Sequence, residues 1–507
     1  MAIKIISATQ SGLDGVLINV EVDISKGLPQ FNMVGLPGAS VKEAKERVRA
    51  AIVNSGYSFP LGRITINLAP ADVRKIGSLL DLPIAIGILM ESGQIAKKGF
   101  ENFIVFGELS LSGELKGIKG SIPIIFEGEG AKIENFIFPL ENLSEIRYFS
   151  LGNFYPFRNL KEVVSFIENN DLLPYEFNTE DNNLQEEYGI DFGNIIGQNT
   201  SKRAMEIVAA GRHNIILFGS PGSGKTMLAK ALPSILPPLS NEEKKEIAKI
   251  YSASGLLKDG LNIKRPFRSP HHTTSKCGLI GGGREGKAGE ITLAHNGVLF
   301  LDEILEFKRD VLEVLREPLE EKVINLNRDN KNYKLPSNFL LVAAYNPCPC
   351  GMYLSSNQEA CTCSMTERRA YLNRLSRAMM DRIDIYNFVP RLELNDLKKK
   401  SDPIDSKKIK ETVMKAKERQ EFRFKNDTWN YNSEINVRDM MEYCNASLDA
   451  RELMEIYYKN NLLSMRAYNK LIKVSRTIAD LENSDDIKGY HVFEAANFRK
   501  NVEGEIN

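Results

Sequence analysis

The sequence predicts an α/β fold organised around a phosphate-binding loop, and three observations predict it. The first is Gly219-Ser220-Pro221-Gly222-Ser223-Gly224-Lys225-Thr226. It lies between the apolar stretch Asn214-Ile215-Ile216-Leu217-Phe218 and the residues Met227, Leu228, Ala231, Leu232 and Ile235, which fall at helical spacing. Strand, glycine-rich loop and helix in that order form the context this motif requires. The second is a further apolar run, Val298-Leu299-Phe300-Leu301, that ends in Asp302 and Glu303. The third is the alternation of strand-like and helix-like stretches across residues 190–390, the pattern of an α/β core.

In chain order, residues 1–167 form an N-terminal domain of short strands and helices. Val16–Ile24 and Ile64–Leu68 read as strands, and Val41–Asn54 as an amphipathic helix with Val41, Ala44, Val48, Ala51 and Ile52 on one face. Residues 168–189 are an acidic linker, carrying Glu168, Asp171, Glu176, Glu180, Asp181, Glu186 and Glu187 without lysine or arginine. The nucleotide-binding core spans 190–394, with a cysteine-rich insertion at 348–363. A smaller, mostly helical domain covers 395–507. Lys398–Lys400 reads as a solvated helix end, and no internal repeats occur.

Composition sets the outer limits. A chain of 507 residues has room for two to four domains. Lys+Arg and Asp+Glu are both 66, so any polyanion site must be a local patch. The N-terminus lacks the basic-then-apolar order of a signal peptide, and no apolar run reaches the roughly 18 residues of a membrane span. A cytoplasmic protein with no membrane partner is expected, and six cysteines do not suggest a disulfide scaffold.

The motifs carry chemistry. Glycines let backbone N–H groups turn inward around phosphates, Lys225 reaches the β- and γ-phosphates, and the Thr226 hydroxyl ligates Mg²⁺. A buried strand ending in adjacent carboxylates needs a reason, because charge is costly where apolar residues pack. Asp302 suits the magnesium shell, and Glu303 suits orienting and polarising an attacking water. ATP and Mg²⁺ are therefore the expected cofactors, and hydrolysis the expected reaction.

Cys348-x-Cys350 and Cys361-x-Cys363 are two close pairs separated by the polar GMYLSSNQEA, which can fold back. Four thiolates around a tetrahedral Zn²⁺ are the favoured reading, with free thiols or a redox pair as the alternative. The metal would be structural, fixing the loop after Asn346. Cys277 and Cys444 are isolated and read as structural, as does His295. His271-His272 lies in a stretch with Arg265 and Arg268 and reads as a signalling or phosphate-touching loop.

Several stretches together resemble the YifB/ComM family of magnesium chelatase-related AAA+ ATPases along essentially the whole chain. They are Asn67–Asp72 with Asp81-Leu82-Pro83, Arg265–Thr273, Gly289-Glu290 through Ala294–Gly297, Ala344–Gly351, Asp381–Asp384 and Arg466-Ala467-Tyr468. The resemblance implies a central AAA+ P-loop NTPase core, a C-terminal helical lid and a ring, with a hexamer expected. It implies that Asn346 is a sensor for the attacking water. Arg382 resembles a finger inserted into a neighbour's site, with Arg374 as second choice. Arg466 resembles the second sensor, contacting the γ-phosphate from the lid.

The N-terminal domain resembles the α+β protease domain of Lon, with Glu108–Leu115 matching a strand-turn-strand. The serine position of that protease falls near Asp81 and the lysine position near Ile122, which cannot make an acyl-transfer pair. Ser78 and Lys119 lie close enough in sequence to test. A non-proteolytic domain is expected.

Two functions remain open at this point. The ComM resemblance implies a DNA translocase or branch-migration helicase, acting on single-stranded or branched DNA in recombination or DNA uptake. Gly281–Lys287, with Arg284 and Lys287, would serve as its pore loop. The alternative is a chelatase-like or chaperone-like ring remodelling a protein partner. Magnesium insertion into porphyrin is disfavoured, because it needs partner subunits and this chain resembles a Lon-like rather than an integrin-like architecture.

Overall fold

A computed structural model describes residues 3–75, 77–97, 102–146, 152–169, 173–177, 189–257, 263–283, 286–328, 331–354, 361–392, 405–460 and 463–500. Most of the acidic linker and Lys398–Lys400 lie outside the described residues. The chain divides into two compact units.

The first unit is a mixed seven-stranded sheet. Its strands are β1 (Ile3–Ser11), β2 (Asp14–Ser25), β3 (Gln30–Val34), β4 (Arg63–Ala69), β5 (Phe103–Val105), β8 (Asn135–Pro139) and β9 (Asn153–Phe157), in the order β3-β4-β2-β1-β5-β8-β9. Two further short strands, β6 (Glu108–Leu109) and β7 (Leu115–Lys116), pair as the expected strand-turn-strand. Along β2 the pleat buries Ile18, Val20 and Val22 and turns Glu21 and Asp23 outward. Against β1 and β2 pack the helices Asp81–Glu91 and Ser121–Gly130, whose apolar residues are almost entirely buried. The expected Val41–Asn54 helix is interrupted at Glu43, and Ala44, Val48, Ala51 and Ile52 form its buried face.

The first unit also takes in two excursions from the middle of the chain, 241–263 and 283–288. The helix Asn241–Ala253 buries Ile247, Ala248 and Ile250. Ser252 accepts at 3.4 Å from the Ile122 amide and bonds Glu145 at 3.2 Å, while the Gln10 amide donates to Ala253 O at 2.8 Å. Alternation alone assigns this stretch to the nucleotide-binding core. It instead packs against the helix Ser121–Gly130 of the first unit.

The second unit holds the parallel sheet. Its strands are β10 (Ile215–Phe218), β11 (Phe267–Arg268), β14 (Val298–Leu301), β17 (Leu340–Tyr345) and β18 (Ile385–Phe388), ordered β11-β14-β17-β10-β18. β10, β14 and β17 are buried at every residue, as strands covered on both faces must be. The expected pore loop begins in this unit with β12 (Gly281–Gly282) and ends in the first with β13 (Lys287–Ala288); its Arg284 lies outside the described residues. An antiparallel hairpin, β15 (Val323–Arg328) with β16 (Lys331–Pro336), precedes β17. The C-terminal helices share one apolar core with the sheet: Val413, Leu471, Val474 and Ile478 join Ile207, Leu217 and Val342. Among the described residues, no helix is long and apolar enough to cross a membrane.

Candidate functional site

In a parallel sheet, loops that leave the carboxyl ends of the strands share one edge, and ligands bind there. β10 runs directly into the phosphate loop, β14 into Asp302-Glu303 and β17 into Asn346. Because β17 lies between β10 and β14, these three segments converge.

The contacts follow from that order. Lys225, mostly buried at the start of the helix Lys225–Ala231, donates to Gly219 O at 2.7 Å, Ser220 O at 3.0 Å and Asn346 Oδ1 at 3.2 Å. Burial pushes its pKa down from the ordinary lysine value, and the charges of Asp302 and Glu303 offset part of that. The Thr226 hydroxyl donates to Asp302 Oδ2 at 2.8 Å, while the Glu303 amide donates to Asp302 Oδ1 at 3.0 Å. Gly219 is required by close approach, since a Cβ there would come within 2.2 Å of Val389 O. Thr226 and Asp302 thus present hard oxygen donors side by side, a set that suits Mg²⁺. Ser223 Oγ is buried without a protein partner in the loop, a polar atom suited to a phosphate oxygen.

Glu303 sits in a left-handed backbone conformation at φ 50°. Its carboxylate is half exposed and lies 3.7 Å from His272 Nδ1. His272 follows β11, the strand beside β14, and its ring centroid is 4.1 Å from that of His271. Sequence reasoning marked the His pair without finding its partner. Arg265 and Arg268 in the same stretch are taken up structurally: Arg265 donates to Pro237 O at 2.8 Å, and Arg268 makes a bidentate pair with Glu290 at 2.7 and 2.8 Å. His295 Nδ1 accepts from the Asn338 amide at 3.0 Å, in keeping with a structural role.

The expected finger, Arg382, and the expected second sensor, Arg466, lie elsewhere. Arg382 and Arg466 line a single cleft of about 560 Å³, together with Asn214, Phe339 and Asp384. Those three residues immediately precede β10, β17 and β18, so the cleft lies at the amino ends of the strands, across the sheet from the phosphate loop. Arg382 is mostly buried, donates to Ala378 O and pairs with Glu320 at 2.6 Å. Arg466 is exposed. Between them, Asp384 accepts from the Asn214 amide at 2.9 Å and pairs with Lys470 at 2.7 Å. Despite its burial, Asp384 is held well below the usual carboxylate range by Lys470 and His213. Arg374, by contrast, donates to Leu305 O at 3.2 Å and Glu306 at 3.1 Å, just past Glu303.

Four cysteines converge as well. The sulfur atoms of Cys348, Cys350, Cys361 and Cys363 all lie within 4.8 Å of one another. Cys277 and Cys444 are outside this group.

In the first unit, Asp81 is buried and ion-paired with Arg47 at 2.7 Å; burial outweighs that partner and pushes its pKa up to about 6. Ile122 is fully buried among apolar residues, and Ser78 gives its hydroxyl to Glu108. None of these contacts pairs a serine with a lysine.

Comparison with known proteins matches three family models along the chain. They are subunit ChlI of Mg-chelatase over residues 20–142, magnesium chelatase subunit ChlI over 191–397, and the ChlI C-terminal model over 403–499. YifB of Salmonella typhimurium is 42% identical over 492 residues, covering 96% of this chain and 95% of its own. The competence protein ComM of Haemophilus influenzae is 40% identical over 504 residues, covering 98% and 97%. An uncharacterised Mycobacterium tuberculosis protein is 34% identical over 478 residues, covering 94% of each.

Proposed function

The chain belongs to the magnesium chelatase-related family of AAA+ ATPases that includes the YifB and ComM proteins, and from that premise we propose a magnesium-dependent ATP hydrolase that works as a ring and moves along DNA. One observation carries the reading: the catalytic groups are split between the two edges of one sheet. Lys225, Thr226, Asp302, Glu303 and Asn346 gather at the carboxyl edge, and Arg382 with Arg466 at the amino edge. Head-to-tail association in a ring sets the amino edge of one protomer against the carboxyl edge of the next.

The roles follow from position. Gly219 through Thr226 cradle the phosphates, with Lys225 neutralising charge on the β- and γ-oxygens. Thr226 and Asp302 would hold magnesium, which would supply charge stabilisation for the transferred phosphoryl. Glu303 accepts the proton of the attacking water and Asn346 orients it, with His272 Nδ1 3.7 Å from the Glu303 carboxylate. Arg382 and Arg466 of a neighbour complete the charge stabilisation, so the second-sensor role passes from this chain's own phosphates to those next door. Arg374, anchored to Leu305 and Glu306, supports the strand end that carries Glu303.

DNA is favoured as the track by the hairpin β15–β16. Its pairing places Asn325 and Asn327 beside Lys334 and Asn332 on one exposed polar face, while Ile324 and Leu335 are buried on the other. Such a face suits backbone phosphates, independent of sequence. The name of the Haemophilus relative, a competence protein, agrees with handling of incoming DNA.

The test is steady-state ATP turnover without DNA and with single-stranded, duplex and four-way-junction DNA, at low and moderate salt. Stimulation that fades with salt supports the DNA motor, and preference for the junction supports branch migration. A rate indifferent to all of them sinks the DNA reading and turns attention to a protein substrate.

A further inference from the structure

We propose that Cys348, Cys350, Cys361 and Cys363 hold one zinc ion, and that this knuckle braces the phosphate loop so that metal occupancy and nucleotide affinity are coupled.

The metal half rests on geometry. With Zn–S bonds of about 2.3 Å, the edges of a tetrahedral tetrathiolate site measure roughly 3.8 Å. The sulfurs of Cys348 and Cys350 are 3.4 Å apart, those of Cys348 and Cys361 3.8 Å, and those of Cys350 and Cys361 3.7 Å. These spacings far exceed the roughly 2.05 Å of a disulfide bond, and all six cysteines are free thiols. The surrounding backbone is shaped to the sulfurs. The Tyr353 amide donates to Cys348 Sγ at 3.4 Å, and the Gly351 amide donates to Cys348 O at 2.9 Å, closing a tight turn between the first pair. Arg368 stacks over the Tyr353 ring at 4.0 Å and anchors the knuckle to the helix Met365–Leu372 that follows the second pair. Such outer contacts fix the orientation of the residues that bind a metal.

The coupling half rests on what the knuckle touches. Gly351 adopts φ +77°, and a Cβ there would come within 2.6 Å of Pro221 Cδ and 2.7 Å of Pro221 Cγ. The turn that carries Cys350 therefore lies directly against the phosphate loop. From its other end, Cys348 is two residues from Asn346, whose side chain accepts from Lys225 at 3.2 Å. Closing the metal ring fixes Asn346 and Pro221 from one anchor. Fixing a loop before its ligand arrives lowers the ordering cost of binding, so zinc should tighten nucleotide. By reciprocity, nucleotide should tighten zinc by the same factor.

The coupling rests on nucleotide binding at the phosphate loop as proposed above; the metal site does not. The full chain, purified without a histidine tag, should carry one zinc per protomer by elemental mass spectrometry. Cys361→Ser/Cys363→Ser should carry almost none. Replacement by Co²⁺ should give thiolate-to-metal charge-transfer absorption. Affinity for a fluorescent ADP analogue should weaken about 10-fold on loss of the metal, within the usual range of site-to-site coupling. The same loss should follow chelation of the wild-type protein and reverse when zinc is restored, which separates coupling from misfolding of the variant. Equilibrium competition with a chelator should show zinc held more tightly by the same factor when ADP is present.

A metal-free protein whose four cysteines are recovered as disulfides overturns the site. Stoichiometric zinc with one nucleotide affinity in both metal states overturns the brace. A zinc-loaded protein that binds no nucleotide at all overturns the function proposed above and leaves the metal site standing.

Discussion

If the catalytic groups of one active site come from two protomers, two inactive variants can rescue each other. The strands between the edges give the scale. β10 and β18 are four residues long, so at about 3.3 Å per residue the edges are roughly 13 Å apart, before Ile383 and Asp384 are added. That span is longer than an arginine side chain, so Arg382 cannot serve the phosphates bound by its own Lys225. The perturbation is a pair of variants, Glu303→Gln and Arg382→Ala, each purified and then mixed. Each alone should lose most turnover, with removal of a finger costing about 10³–10⁵-fold. In a mixed ring, a competent site needs Glu303 from one chain and Arg382 from the next. At equal amounts that is half of a half, so about one quarter of the sites should recover in a head-to-tail ring. The assay is ATP turnover against mixing ratio, with two affinity tags to show that mixed rings form. Turnover that stays at the sum of the parents in proven mixed rings would refute an interfacial role for Arg382.

The remaining expectations rest on individual contacts. Glu303→Gln should keep nucleotide affinity while turnover falls about 10²–10⁴-fold, the usual worth of a positioned general base; equilibrium binding and single-turnover assays separate the two. Asp384→Asn should lower the unfolding midpoint, because it leaves Lys470 without its partner in a mostly buried position, a loss of about 3 kcal/mol. Asp384 is held below its ordinary pKa of about 3.9, so the unfolded chain takes up its proton first as pH falls. Its contribution should therefore be full above about pH 5 and decline below about pH 4, and a denaturation series across that window should show the decline in wild type and lack it in Asp384→Asn. Lys334→Ala, on the exposed face of the hairpin, should leave DNA-free turnover unchanged and flatten the log–log salt dependence of DNA affinity by about one. An unchanged slope would remove this hairpin from the DNA path.

What was legible in the sequence was local. The phosphate loop, the run into Asp302-Glu303 and the run into Asn346 each announce themselves within a few residues, because an apolar strand ending in a polar group has few structural explanations. The period-2 pattern of Ile324-Asn325-Leu326-Asn327 was equally available and identifies a hairpin strand with one polar face. Contacts between distant segments were not legible. His272 beside Glu303, Lys470 on Asp384 and Gly351 against Pro221 each join residues whose own neighbourhoods carry no trace of the partner. The helix Asn241–Ala253 shows the same limit at the scale of a domain: its amphipathic spacing says that one face is buried, and says nothing about which unit buries it.

On the proposed reading, sheet order explains why the catalytic set would not be complete in one chain. Placing β17 between β10 and β14 lets Asn346 reach Lys225 and sets Asp302 against Thr226, so the residues proposed for nucleotide binding and water activation are brought together by adjacency alone. Placing β18 on the other side of β10, parallel to it, forces the Asp381–Asp384 turn to the opposite edge. Asp384 and Lys470 then tie the helix bearing Arg466 to that same edge, which is why two arginines far apart in sequence share a cleft. A residue that binds Asp384 in this way is a positioning residue for Arg466. Lys470→Met should therefore depress turnover in rings while sparing nucleotide affinity of the isolated chain. Equal loss of both would mean that the cleft supports only the fold.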